Sequence, residues 1–553
     1  MEKLLTFLKS IPEYEMLISA ANQKEAAAVT GIGQINRSHL IAGIHSDIKR
    51  PIVLICHDDA TARRLQEELN AFTSLSPDIL PNRELTLYDS AVVSRGWEQK
   101  RLRQLFDLIQ GKTRIQIFTW EALCQRTIPV QTLKEAVFTL QIGNEYALDR
   151  ITERLTNLGY SRCPMVEGPG QFSVRGGIVD IFSPAADYPV RVEFFGDELD
   201  TMGYFDPNTQ RRTENIEQMI ILPVGETQPR LHPGGLSGLC DDLRNTIARQ
   251  RRRKTPNEAL IATLEKDIEK YENGLQNPAS DRYMSLIYPE FACAMDYIPS
   301  DAILVICDQS SLRRTANTRM DDMGLQLDSL LQGGMVAGDF CDYVIQWEDF
   351  TRTLPSRTVI YLDAFAGAAY PDDCPPKHLF PITAKQLPGY GGNMDTAASD
   401  LAHYQKMEFS TLVLCGSRRR AELLQEMLGS RNISALLCIP LTSMPKPGQI
   451  LLSDGSLPFG MEYPSAKLAV LTEGQLTAKA APRKQVKKSA TNRQKLNSFT
   501  DLSPGDLVVH ENYGIGRFVS MEQIKVDGAV KDYIKIAYHG TDTLFVPATQ
   551  LDL

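Results

Sequence analysis

The chain has 553 residues, with 59 Lys and Arg against 68 Asp and Glu for a net charge of -9, and is 43% hydrophobic and 23% charged. That length is too great for one core and suggests roughly three to five domains, while the acidic balance excludes a protein coated in nucleic acid along its length and leaves only local basic patches open. The ten cysteines stand singly from Cys56 to Cys438 with no C-x-x-C pair, which excludes a disulfide framework or a zinc site and fits a reducing cytosol.

Met1 to Ala20 mixes Glu2, Lys3, Lys9, Glu13 and Glu15 with apolar residues. It reads as an amphipathic helix, not a signal peptide. No apolar run is long enough to span a bilayer, so a soluble, cytoplasmic protein with no membrane partner is expected. Three segments then share a buried strand, a polar turn and a helix. They are Pro51–Cys56 with Asp59–Leu69, Ala302–Cys307 with Ser310–Met323, and Thr411–Cys415 with Ser417–Leu428. Continuous apolar runs of this length suit parallel strands covered on both faces. From about Phe118 to Gln210 the pattern changes to short strands joined by Gly and Pro turns, as in a sheet domain inserted into an α/β domain. Asp241–Leu275 is charged and helical. Its run Arg249, Arg251, Arg252, Arg253 and Lys254 is the densest basic cluster, open to DNA phosphates but more simply a solvated helix end. Arg418, Arg419 and Arg420 open a helix, where cations oppose the macrodipole.

Gly474–Asn497 is basic and poor in apolar residues, so it reads as a flexible tether. The last segment, Ser503–Leu553, is strand-like again. Leu507–His510 starts it, Gly514 and Gly516 break it, and Asp527-Gly528 is a two-residue hairpin signal. Short strands at this spacing suggest a small, twisted barrel of the SH3 or Tudor kind.

Two strings carry a family resemblance. Gly170–Phe182, Pro189–Glu198 and Phe205–Pro207 closely resemble domain 2 of the bacterial excision-repair protein UvrB, and more closely the matching domain of the bacterial transcription-repair coupling factors (the Mfd family). Val508–His510, Gly514–Phe518 and Phe545–Pro547 are similar to that family's RNA-polymerase-interacting domain, itself similar to the CarD-type module. The first resemblance implies a docking surface for the damage-recognition protein UvrA, with the contacting positions at Arg162, Arg175, Arg191 and Glu193. Ser173 stands where UvrB has a further arginine, and Glu193 is the expected holder of Arg191. Arginine suits such a site because its fork pairs with carboxylates and stacks on apolar surface. The second implies that a strand edge from Phe518 to Val526 adds to the polymerase β subunit, with Phe518, Ile524 and Lys525 at the contact.

The same resemblance exposes a loss. Val29–Ile35 sits where UvrB has its phosphate-binding loop, whose pattern needs glycines, a lysine for the phosphates and a hydroxyl for magnesium. Thr30, Gly31 and Gly33 remain, but Ala28 replaces the first glycine, Gln34 the lysine and Ile35 the hydroxyl. Asp308-Gln309 stands where active relatives have Asp-Glu, and Gln309 cannot orient or deprotonate water as a carboxylate does. No catalytic residue and no metal site are expected in this chain, with ATP and magnesium confined to motor domains that the family carries after the equivalent of Leu553. Double-stranded DNA is a partner expected of the full-length protein only. The resemblance therefore implies an α/β multidomain chain. A degenerate P-loop-type α/β domain (1–117 and 213–345) holds an inserted strand-rich α+β domain (118–212), followed by a second α/β domain (346–468), a basic linker (469–499) and the SH3/Tudor-like barrel (500–553). Two other readings stay open: a catalytically active UvrB-like DNA helicase, which Gln34, Gln309 and the lack of a long aromatic hairpin after Leu80 oppose, and a CarD-type transcription regulator using the last domain alone.

Overall fold

The computed structural model describes residues 2–73, 76–88, 96–365, 369–472, 475, 506–510, 514–526, 529–537 and 543–547. The N-terminal stretch is helical but broken, into Glu2–Phe7, a 3-10 turn at Leu8–Ser10, and Pro12–Asn22. Pro12 starts the new helix at its first position, where a missing N–H is no loss.

Four strands follow: β1 (Ala27–Ile32), β2 (Ile52–Cys56), β3 (Asp78–Ile79) and β4 (Ile115–Thr119). Every residue of β2 and β4 is buried, as their unbroken apolar runs require of strands covered on both faces. Helices Gln34–Ile48 and Asp59–Phe72 follow β1 and β2. Asp58 caps the second by accepting from the Thr61 N–H at 2.8 Å.

β5 (Phe138–Gln141) then opens the insertion, which holds β6 (Ser161–Arg162), β7 (Gln171–Arg175), β8 (Ile178–Ile181), β9 (Val190–Phe195), β10 (Glu198–Phe205) and β11 (Arg212–Asn215). β12 (Gln218–Ile221) closes it by pairing antiparallel with β5. The insertion therefore runs from about residue 138 to 221, not 118 to 212. Phe118 and Thr119 end a buried strand of the main sheet, and Trp120, Leu123 and Leu133 pack in the main core.

β13 (Ile303–Cys307), β14 (Thr358–Leu362), β15 (His378–Leu387), β16 (Ser410–Leu414), β17 (Ala435–Leu437), β18 (Ile450–Ser453), β19 (Gly460–Tyr463) and β20 (Leu468–Thr472) complete the α/β body. They join β1 to β4 in one 12-stranded sheet of order β17-β18-β16-β20-β19-β15-β1-β14-β13-β2-β4-β3. All three strand-turn-helix segments read from the sequence are strands of this sheet. Its division is not at 345/346, because β14 lies between β1 and β13. β15 is the weld: its first part pairs parallel with β1, and Lys385–Leu387 pairs antiparallel with β19. β20 lies between β16 and β19, so the folded body extends at least to Thr472, past the expected linker start at 469.

The Asp241–Leu275 stretch is a hairpin of helices Gly235–Arg251 and Glu258–Glu272. Within its basic run, Arg249 pairs with Asp339 at 2.9 Å and Arg251 with Glu265 at 2.5 Å. At the C-terminal end, β21 (Leu507–His510), β22 (Gly514–Val526), β23 (Ala529–Ala537) and β24 (Thr543–Pro547) form a four-stranded antiparallel sheet in chain order. Closing the expected barrel requires β24 to meet β21, and no such pairing occurs among the described residues. The tether Gly474–Asn497, apart from Gln475, and the Asp527-Gly528 turn lie outside the described residues.

Candidate docking surface

The inserted sheet has order β11-β10-β9-β8-β7-β6. Side chains alternate across a strand, so paired residues share a face with neighbours two positions away. One face carries Phe172, Val179, Ile181, Val190, Val192 and Met202 into a core closed by Ile151 and Leu155 of helix Leu148–Asn157. The other face carries two cross-strand rows. Ser173, Asp180, Arg191 and Gly203 form the first, and Arg175, Ile178, Glu193 and Thr201 the second.

Asp180 sits at the centre of this outer face and is only 1% exposed. Its carboxylate accepts from Arg191 Nε at 2.7 Å and Nη2 at 2.9 Å, and from Arg175 Nη2. A buried carboxylate needs such pairing, and two guanidinium groups supply it. Arg191 also lies over the Phe205 ring, 4.7 Å from its centre, a cation–π contact. The hydrogen bond to Asp180 is the main reason Arg191 titrates above an ordinary guanidinium.

Among the described residues no hydrogen bond or ion pair joins Glu193 to Arg191. Glu193 accepts from Arg212 Nη1 at 3.5 Å, and the same nitrogen reaches Thr201 Oγ1 at 3.2 Å. Arg212 can cross the face because Gly203 has no side chain, since a Cβ there would stand 2.5 Å from Arg212 Nε. Ser173 is buried and donates to the Pro164 carbonyl at 3.0 Å. Arg162 is exposed on the edge strand β6, and among the described residues no ion pair or hydrogen bond joins it to the network. The structure thus brings Arg175 and Arg191 together through a residue that sequence reasoning passed over. The available signal was Asp180 itself, a lone acid in the apolar run Ile178–Ile181. Phe195 was missed as well. It shares the parity of Arg191 and Glu193 and is 82% exposed at the β9–β10 turn.

The segment read from the sequence as a degenerate phosphate-binding loop is packed against protein. β1 runs through Thr30 and Gly31 to Ile32, and helix Gln34–Ile48 starts at once with Gly33 as its cap. No loop remains to wrap a phosphate. The Gly33 N–H donates to the Ala384 carbonyl of β15 at 3.0 Å, and a Cβ on Gly33 would meet Gln386 N at 2.8 Å. Gln34 is exposed. Asp308 caps helix Gln309–Gln332 by accepting from Ser311 N–H at 3.2 Å. Gln309 is buried, and its N–H donates to Asp363 Oδ1 at 3.1 Å. Burial pushes the Asp363 carboxyl above its ordinary value. The phosphate-binding pattern is not met here, because strand β15 stands against the helix end that would receive phosphate and Gln34 stands in place of the lysine.

In the C-terminal sheet, Phe518 is buried, opposite Ile536, and therefore packs inward rather than serving as an exposed contact. β21 covers β22 only as far as Arg517, with one more bond from the Phe518 N–H to the Asp506 carbonyl at 2.8 Å. From Ser520 to Val526, β22 pairs with β23 alone among the described residues. Ile524 and Lys525 lie on this stretch, opposite Lys531 and Val530, and their side chains lie outside the described residues.

Comparison with known proteins covers the same two regions and then the whole chain. Residues 138–226, which contain the whole inserted sheet, match the UvrB interaction domain, and residues 502–553 match the CarD-like/TRCF RID domain. A transcription-repair-coupling factor of Bacillus subtilis is 27% identical over 565 residues, covering 100% of this chain and 47% of the relative. Those of Staphylococcus haemolyticus and Staphylococcus aureus are each 28% identical, covering 95% and 99% of this chain and 44% and 46% of theirs. The chain is thus similar along essentially its whole length to transcription-repair-coupling factors, and spans a little under half the length of the relatives it matches.

Proposed function

We propose that this chain works as the N-terminal part of a bacterial transcription-repair coupling factor in nucleotide excision repair. In this reading it holds RNA polymerase at one end and recruits UvrA with the inserted sheet. The observation that carries it is the Arg175–Asp180–Arg191 face, which falls inside the UvrB interaction domain match. A preformed cationic patch on a rigid sheet suits an acidic partner surface, because its arginines are already oriented by Asp180. The long strand β22, which carries Ile524 and Lys525 and pairs with β23 alone from Ser520 to Val526 among the described residues, suits polymerase docking by strand addition to the β subunit.

The α/β body serves as a scaffold and does not hydrolyse ATP. The ATP-driven translocase that releases polymerase belongs to a motor outside this chain, as does the grip on double-stranded DNA. The contact between Gly33 and β15 weighs against an active UvrB-like helicase. The test is a bridging assay. Immobilised RNA polymerase should retain UvrA only when this chain is added, and the chain cut near Asn497 should lose that property while still binding UvrA. Retention of UvrA by polymerase without an intact chain, or failure of the chain to bind either partner, would refute the proposal.

A further inference from the structure

We infer that the two arginines of the docking face have different jobs: Arg175 meets the partner, and Arg191 is a positioning residue that holds Asp180 and, through it, Arg175. This rests on the docking reading above. A guanidinium carries five N–H donors. Arg191 uses four of them inside the protein: Nε and Nη2 to Asp180, Nη2 again to Gln210 Oε1 at 3.2 Å, and Nη1 to the Gln210 carbonyl at 3.4 Å. Its ring contact to Phe205 covers a further face, and its side chain is 19% exposed. Arg175 makes a single internal bond, to Asp180, and its side chain is 49% exposed. It stands at the end of β7 with four donors uncommitted among the described residues.

The charge count agrees. Arg175, Arg191 and Arg212 face Asp180 and Glu193 within the network, so one net positive charge is left, and it lies where exposure is greatest. The ligand chemistry this fits is a single carboxylate on the partner, taken in fork geometry by Arg175, with exposed Phe195 offering apolar contact on the same face. Transferring one docking role to every arginine of the motif therefore overstates Arg191.

The free chain provides the first test. Guanidinium modification by phenylglyoxal, followed by mass spectrometry, should label Arg175 at least tenfold faster than Arg191. Asp180→Asn should raise the rate at Arg191. Equal rates at the two arginines in the wild type would overturn the assignment whether or not a partner binds. The second test is association with purified UvrA over a range of salt. Arg175→Ala should slow association about tenfold at low salt, flatten its salt dependence and lower thermal stability less than Arg191→Met does. Arg191→Met should lower thermal stability and speed dissociation while keeping the salt dependence. If Arg191→Met flattens the salt dependence as Arg175→Ala does, Arg191 is a direct contact and the inference fails. If the wild type does not bind UvrA at any salt, the docking reading fails instead, and the labelling rates alone decide the roles.

Discussion

Acid should loosen the weld between the two halves of the large sheet, and His39 is the reason. His39 lies on helix Gln34–Ile48 and is fully buried. Its Nε2 donates to the Leu4 carbonyl at 3.0 Å, and its Nδ1 accepts from the Tyr463 hydroxyl of β19 at 2.9 Å. The ring stacks on Phe72 at 5.2 Å. Both nitrogens are served by the neutral imidazole, and burial lowers its pKa from 6.5 to about 4. The folded state therefore resists protonation more than the unfolded chain does. Stability from this residue is complete above the unfolded value and is lost as pH falls from 6.5 towards about 4. The full difference is about 3 kcal/mol, of which about 2 kcal/mol is gone by pH 5. Urea unfolding at pH 7.5, 6, 5 and 4.5 should show this extra loss in the wild type and not in His39→Gln, which lacks the titrating group. Parallel stability curves for the two proteins would refute the argument.

Three further outcomes follow from the packing. Glu226, fully buried at the exit from the insertion, pairs with Arg101 Nε at 2.9 Å and receives the Thr127 hydroxyl; Glu226→Ala should destabilise the chain by about 3–5 kcal/mol, read as a lower urea midpoint, and a change under 1 kcal/mol would contradict it. Gly33→Ala should cost about 1–3 kcal/mol, since its Cβ meets the Gln386 backbone at 2.8 Å, and an unchanged melting temperature would show that β15 yields. Gln34→Lys should not restore nucleotide binding, as judged by titration with a fluorescent ATP analogue, because β15 and not the missing lysine alone fills the place; micromolar binding would show the loop to be competent.

Local signals in the sequence identified the elements well. Five-residue apolar runs such as Ile52–Cys56 and Ile303–Cys307 became fully buried strands. The grouping of those strands was not legible, because sheet neighbours such as β14 and β1 are more than 300 residues apart in the chain and nothing local in Thr358–Leu362 says which sheet receives it. Arg175 and Arg191 were found by motif, but their common anchor needed the cross-strand register that sets Asp180 opposite Arg191. Glu193 looked like the partner of Arg191 because it is near in sequence, whereas two positions along a strand only parallel side chains are produced. Phe518 carried the motif of a docking strand and also the alternation of a core residue, and burial against Ile536 decided for the core.

The most direct test of the central claim is the affinity of purified UvrA for the whole chain, wild type against the Arg175→Glu, Arg191→Glu double variant. Charge reversal turns the one positive excess of the face into repulsion towards a carboxylate, which should abolish measurable binding while the large sheet and the C-terminal strands keep their melting transition. Binding that survives the reversal would place the dock elsewhere and contradict the account.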